Sequence, residues 1–485
     1  MTSDPTTTET DTPSAGVEMP SHTSNIPLAA VGLGLGMLLS ILDQTIVSIA
    51  LPNIATDLGG LGSVSWVVTC YVLASTATGT LYGRLSDRFG RRPTFLTAVT
   101  IFTAASVLCG VATSLAQLVF FRTLQGIGAG ALFAVPTIAL AELFPVALRG
   151  RVQGAVGGIF AIASVGGPLL GGVITDTAGW RWIFYINLPL GLLSMLFVII
   201  ALRLPKPGGA TRVDLVGSVL LVGTVVGILL VTEWGGRTYD WGSGVILGLI
   251  AGVLVLLAAF IWWEGRTDHP VIPLRLFANR TVGLVLASTL VLGALLYASI
   301  VFIPTYLRSA FGMSATEAGL ALNPYVIAFV VASFLSGSIA GKSGQYRPFL
   351  VGGPVVITGG FVLLSLLGAD STYFVVALDL VVLGIGVGMI MQLLVTVAQN
   401  AVTGNDLGAA TSAALSIRGL GMSLGVAVYG NILSRQLAGK PATPATTADA
   451  IPDMLVWAIP LAAALVLLTI FIPTQKAARP LTAAE

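Results

Sequence analysis

Gly83-Arg-Leu-Ser-Asp87-Arg88-Phe-Gly90-Arg91-Arg92-Pro93 lies between two long apolar runs. Gly337-Ser-Ile-Ala-Gly-Lys342-Ser-Gly344-Gln-Tyr-Arg347-Pro348 lies between two others, 254 residues further on. A second pair, Gly126-x-Gly128-x-Gly130 and Gly384-x-Gly386-x-Gly388, repeats at an offset of 258. Two independent pairs at nearly one offset predict duplicated halves. A helix crossing ~30 Å of hydrocarbon needs about 20 apolar residues, and fourteen such runs follow one another from 28–50 to 454–473. The seventh and eighth, near 214–232 and 243–263, fall between the halves and read as an insert. The expected architecture is therefore an all-α polytopic membrane protein of fourteen transmembrane helices, two six-helix bundles plus two inserted helices. Its expected parts are a disordered tail over 1–26, bundles over 27–205 and 271–475, the insert over 206–270, and a short tail over 476–485. Parallel repeats of this kind imply a transporter that rocks about a central cavity.

Composition supports this reading. Of 485 residues, 55% are hydrophobic and 9% charged, and the mean hydropathy is +0.95. Soluble domains carry about 25% charged residues, so a soluble enzyme, a nucleic-acid binder and a disordered scaffold are excluded. The two cysteines, Cys70 and Cys109, both sit in apolar runs and offer neither a disulfide framework nor zinc-ligand spacing. His22 lies in the tail and His269 in a loop, so neither is placed as a proton relay. No soluble stretch has room for a nucleotide-binding domain. The P-loop-like Gly337-to-Ser343 stretch has its glycines one residue too close together. Energy must then come from an ion gradient or from the solute, and no cofactor or metal is expected. With both termini in the cytoplasm, sixteen of the 23 Lys and Arg fall inside, five outside, and Arg122 and Arg418 within the membrane. That bias orients the chain.

Asp43, in the outer half of the first run, is costly at membrane depth and needs a cavity or a partner. Helical rise brings it level with Arg122 in the fourth run. An approaching guanidinium favours the ionised acid and a dry, unpaired setting favours the neutral one. Asp43 is therefore a candidate proton carrier modulated by Arg122, the alternative being a static ion pair. Asp379 and Arg418 lie in later spans and are open to coupling, substrate binding or a structural pair. Trp66, Tyr71, Gln125, Asn323, Tyr325, Met391, Gln392 and Gln399 place aromatic, amide or soft side chains within spans. They suit an adaptable cavity for lipophilic ligands, with helix packing as the plainer reading of each. The paired glycine series, and Gly32, Gly34 and Gly36, are expected to let helices approach closely.

The chain also resembles the major facilitator superfamily. Gly83-x-x-x-Asp87-Arg88-x-Gly90-Arg91-Arg92 is similar to that family's loop between spans two and three. Further resemblances are Leu42-Asp43-x-Thr45-Ile46-Val47, Arg122-x-x-Gln125-Gly126-x-Gly128 and Gly167-Pro168-Leu-Leu-Gly171-Gly172, the last similar to an antiporter motif. Trp180-Arg181-Trp182-Ile183-Phe184-x-Ile186-Asn187-x-Pro189 is similar to a signature of the fourteen-span drug/proton antiporter branch. Two departures are Ala163, where the antiporter motif has glycine, and Gly341, where the repeat lacks the acid matching Asp87. The resemblance implies multidrug efflux, with a conformational latch made by Gly83, Asp87, Arg88, Gly90, Arg91 and Arg92. It also implies a hinge or seal at Gly167, Pro168, Gly171 and Gly172. Relatives that handle dications carry an extra acid deep in span ten, and no acid lies between Glu317 and Asp370 here. The expected function is proton-coupled export of lipophilic, often cationic drugs or antibiotics across a bacterial cytoplasmic membrane, by a monomer in the bilayer with no nucleic-acid partner. Its alternatives are a dedicated self-resistance exporter of one antibiotic, a proton-coupled importer and a non-transporting sensor.

Overall fold

In hydrocarbon every backbone polar group must be satisfied within the chain, which makes helices of long apolar runs. A computed structural model describes residues 25–473 apart from 60–63, 65, 205–213, 237, 269, 369, 403–405 and 442. The expected tails and the boundary at 205–206 thus lie almost wholly outside the described residues. The first half holds α1 (Ile26–Leu58), α2 (Trp66–Phe89), α3 (Arg91–Gly110), α4 (Leu115–Leu143), α5 (Val146–Thr177), α6 (Trp182–Tyr185) and α7 (Asn187–Ala201). The insert gives α8 (Leu215–Trp234) and α9 (Gly244–Glu264). The rest is α10 (Arg275–Ala278), α11 (Arg280–Phe311), α12 (Ala315–Leu320), α13 (Asn323–Ser343), α14 (Arg347–Ser365), α15 (Tyr373–Asn400), α16 (Leu407–Leu437), α17 (Pro444–Leu455) and α18 (Ala458–Ile470).

Three expected spans are each split in two. The breaks follow Tyr185, Leu320 and Leu455, and the next helices carry Pro189, Pro324 and Pro460 near their starts. A proline has no N–H to bond the carbonyl four residues back. Those carbonyls belong to Tyr185, Leu320 and Val456, so each break sits where its proline leaves the ladder open.

Among the described residues, twelve segments are long and apolar enough to cross a membrane, fewer than the fourteen expected. α2 and α5 are long helices outside that set. Both pack on several other helices: α2 on α4, α16 and α8, and α5 on α13, α1 and α15. Their interior faces are therefore built from small and polar residues.

One end of the molecule holds the start of α1 and is called the near face. Gly32 packs there on Val198 near the end of α7, and Arg92 at the start of α3 donates to the Ile199 carbonyl. Two seams join the halves toward this face. Along α2 and α16, Thr80 and Ser416 hydroxyls meet at 2.7 Å, and a Cβ on Gly83 would lie 2.8 Å from the Gly408 carbonyl oxygen. Along α5 and α13, a Cβ on Gly150 would lie 2.7 Å from the Gly337 carbonyl oxygen and one on Gly154 2.9 Å from that of Ser333. The near face is closed by these backbone-to-backbone approaches, which only glycine allows. α8 lies over the first seam and touches α2 and α16 together: Trp66 and Trp234 rings meet edge-on at 6.1 Å, and Thr232 bonds Ser423 at 2.6 Å. α9 covers α8 and turns most of its own surface outward. At the far face, Arg181 pairs with Asp57 at 2.6 Å and Trp180 Nε1 donates to it at 3.0 Å, tying the end of α1 to the turn before α6. These two hydrogen bonds hold the Asp57 carboxyl below its usual range.

Candidate coupling site

Asp43 on α1 and Arg122 on α4 are both fully buried, and Arg122 Nη1 lies 2.5 Å from Asp43 Oδ2. The other carboxylate oxygen is held from two further helices: Gln125 Nε2 of α4 and Asn187 Nδ2 of α7 each donate to Oδ1 at 2.8 Å. Both carboxylate oxygens thus receive N–H donors. Ser106 of α3 anchors both amides, accepting from Gln125 at 3.1 Å and Asn187 at 2.9 Å, and donates to the Phe184 carbonyl at 2.9 Å. Arg122 is fixed in turn by the Gln125 Oε1 at 2.7 Å and the Val67 carbonyl at 3.1 Å. Its guanidinium lies 4.0 Å from the Tyr71 ring centre and 5.8 Å from that of Phe184. Five helices and the α6 turn close around a single ion pair. Such a pair is balanced only while both charges are present, because each alone would be buried without compensation.

Asn187 and Ser106 were not singled out by the sequence. Asn187 stood inside the Trp180–Pro189 signature, which was its one signal, while Ser106 is an ordinary serine in an apolar run. Gln125 and Tyr71, expected in a substrate cavity, stand in this site against Arg122 and Asp43.

A second cluster stands where α2 meets the near face. Arg91 Nη1 pairs with Asp87 at 2.6 Å and its Nη2 with Glu142 of α4 at 2.7 Å. Asp87 reaches the other half: a Cβ on Gly408, in the first turn of α16, would lie 2.5 Å from its Oδ1. A carboxylate at a helix N-terminus meets the positive end of the helix dipole. Gly90 has φ +93, a left-handed turn between α2 and α3 that suits glycine. Arg88 stacks on Phe89 and Arg92 bonds the Ile199 carbonyl, so neither reaches the opposite half by these contacts. Arg149 of α5 donates to Asn400 of α15 at 3.1 Å, a further link across the halves. Glu142, Arg149 and Asn400 were missed in the sequence, since charges and amides at span ends are common there. Glu142→Gln should cost about 1–2 kcal/mol through the weakened charge-assisted bonds to Arg91. The unfolding midpoint of purified protein checks this; no change would mean that Asp87 alone suffices for Arg91.

On α5, Gly167 packs beside Thr45, and a Cβ on Gly171 would lie 3.2 Å from the Ile46 Cα of α1. Gly172 has nothing within 4 Å of such a Cβ, and the Pro168 side chain lies outside the described residues. The remaining expected residues are spread out. Trp66 faces α8, Tyr325 stacks on Phe329 at 6.5 Å, and Asn323 opens α13. Gln399 donates to Thr411 at 3.3 Å. Met391 and Gln392 are buried in α15, with Gln392 beside Gly157 of α5. Asp379 is buried toward the far end of α15 and Arg418 in the middle of α16, and the two form no ion pair with each other. Among the described residues no group of His, Cys, Asp and Glu could hold a metal ion.

Residues 33–426 match the family model described as Major Facilitator Superfamily. The Multidrug transporter protein MdtP of Bacillus subtilis is 35% identical over 407 residues, 84% of this chain and 75% of that protein. Multidrug resistance protein 3 of the same organism is 35% identical over 410 residues, 84% of this chain and 80% of that protein. The proton:xylose symporter XylE has a similar fold, with a TM-score of 0.62 at 14% identity over 93% of this chain and 96% of that one. With a family model spanning most of its length and relatives matched over most of theirs, this chain belongs to the major facilitator superfamily of multi-pass membrane transporters.

Proposed function

We propose that this transporter exports lipophilic drugs or antibiotics in exchange for protons, with Asp43 as the proton-carrying acid and Arg122 as its modulator. The enclosed Asp43–Arg122 pair carries the reading. Protonating Asp43 removes the charge that balances Arg122, so the loaded and unloaded forms favour different surroundings. The amides of Gln125 and Asn187 hold the carboxylate in place while it is charged. Moving one charge inward down 100 mV supplies about 2.3 kcal/mol, nearly fifty-fold accumulation per proton. The multidrug transporter and multidrug resistance names of the bacterial relatives support the direction of transport.

In this reading the near face is cytoplasmic and carries both termini, in keeping with the placement of Lys and Arg. α2 and α5 complete fourteen spans: at 24 and 32 residues they are about 36 and 48 Å long, enough to cross. The bundles are then 27–205 and 271–475, with 206–270 inserted between them. Asp87, against α16, latches the closed near face, and Gly167 and Gly171 seal α5 on α1.

Inside-out vesicles test this. When energised, they should release protons on adding ethidium with the wild type and not with Asp43→Asn, both being folded and inserted. Equal release by both would remove Asp43 from coupling, and a wild type that exchanges no protons for any lipophilic probe would remove the antiport reading.

A further inference from the structure

Arg418 is a buried charged residue of the spans that none of the ion pairs above includes. Its side chain is only 8% exposed, and its Nη1 has no hydrogen-bond partner. It stands at the seam between the halves. Two residues toward the near face, Ser416 bonds Thr80 of α2, and the next residue, Gly419, lies against Thr76. The guanidinium crosses from α16 to α4, where its carbon lies 5.8 Å from the ring centre of Phe133. At that distance a ring is a weak partner for a cation.

A buried guanidinium without an acid is costly, and Arg presents a planar fork of donors matched to carboxylate oxygens. Among the described residues no acid pairs with it. Asp43 is held by Arg122, Gln125 and Asn187, Asp87 by Arg91 at the near face, and Asp379 lies toward the far end of α15. The missing negative charge must then come with what is carried. Phe133 is the resting partner that an incoming anion displaces when the Thr80–Ser416 contact opens.

We propose that Arg418 docks a carboxylate of the transported molecule, so that the substrates of this pump include amphipathic organic acids and zwitterions. This rests on the export reading above and names its substrate class. It also extends that reading beyond cationic drugs, because a positive charge in the seam favours an anionic group on the cargo.

The test uses purified full-length protein in detergent and a panel of aryl carboxylates, each paired with its methyl ester. Binding is read by displacement of a fluorescent ligand, in buffers with and without chloride. The wild type should favour the acids over their esters by roughly tenfold, about the 1.4 kcal/mol of one well-placed charged contact. Arg418→Gln should erase that preference while still binding the esters, and Arg418→Lys should keep part of it. Ester binding by Arg418→Gln also certifies that the variant is folded. No acid preference in the wild type, a preference that survives Arg418→Gln, or chloride binding at Arg418 without acid preference would each overturn the proposal. Ethidium-driven proton release in vesicles then stands or falls separately, and reports on the export reading alone.

Discussion

Arg122→Gln alone is expected to destabilise the protein more than Arg122→Gln combined with Asp43→Asn. The single change leaves Asp43, fully buried, with amide donors and no opposite charge. Breaking one side of a buried pair costs about 3–5 kcal/mol, most of it the uncompensated remaining charge. The double variant has no charge left to strand, and its amides can bond one another in the same space. It should recover roughly half or more of the loss, a coupling of the size measured between contacting groups, about 0.5–3 kcal/mol. Unfolding midpoints of the wild type, both single variants and the double variant, in one detergent, give the answer. Additive losses would show that the pair does not act as a unit, and would take away the reason for giving it a switching role.

Gly337→Leu should hold the near face open and stop transport while leaving the halves folded. Gly337 meets Gly150 backbone to backbone, and a Cβ on Gly150 already lies 2.7 Å from the Gly337 carbonyl oxygen. Since the listener to that contact is main chain and not a flexible tip, room can be made only by parting α5 from α13. Overpacking of this kind costs about 1–3 kcal/mol, and charged to the closed form alone it shifts the closed population about 5- to 150-fold. The reporter is Ser412→Cys, whose serine hydroxyl sits on Gly83 in the closed α2–α16 seam. Its thiol should label faster with a hydrophilic maleimide in the Gly337→Leu background, while ligand binding survives. Unchanged labelling together with normal flux would mean that the α5–α13 approach is not required for the cycle.

The spans were legible in their apolar runs, and hydropathy is weakest where α2 and α5 carry small and polar residues. Hydropathy marks α9 plainly because nearly all of it faces outward. α2 and α5 carry Thr80, Gly83, Gly150, Gln153 and Gly154 because their neighbours are helices, and a scale built on transfer to lipid undervalues such faces. The span breaks were legible in principle from Pro189, Pro324 and Pro460, but α4 runs unbroken through Pro136, so a proline alone does not decide. At the site, the cost of a charge in hydrocarbon pointed to Asp43 and Arg122, and their depths to each other. Asn187 and Ser106 carry no charge, and only the approach of α3 and α7 to α1 gives them their part. Arg418 stood out for the same reason as Arg122. What the sequence does not contain is the emptiness of its surroundings of any acid.

The position of α8 makes the two seams unequal. One is roofed: α8 straddles α2 and α16, and α9 lies behind it. The other has no such cover among the described residues, and Ile162 of α5 and Val331, Phe334 and Leu335 of α13 stand exposed beside it. The insert therefore screens one flank of the molecule from its surroundings and leaves the other in contact with them. Two halves built alike thus end up with unlike flanks, one walled by the insert and one whose apolar side chains stand bare.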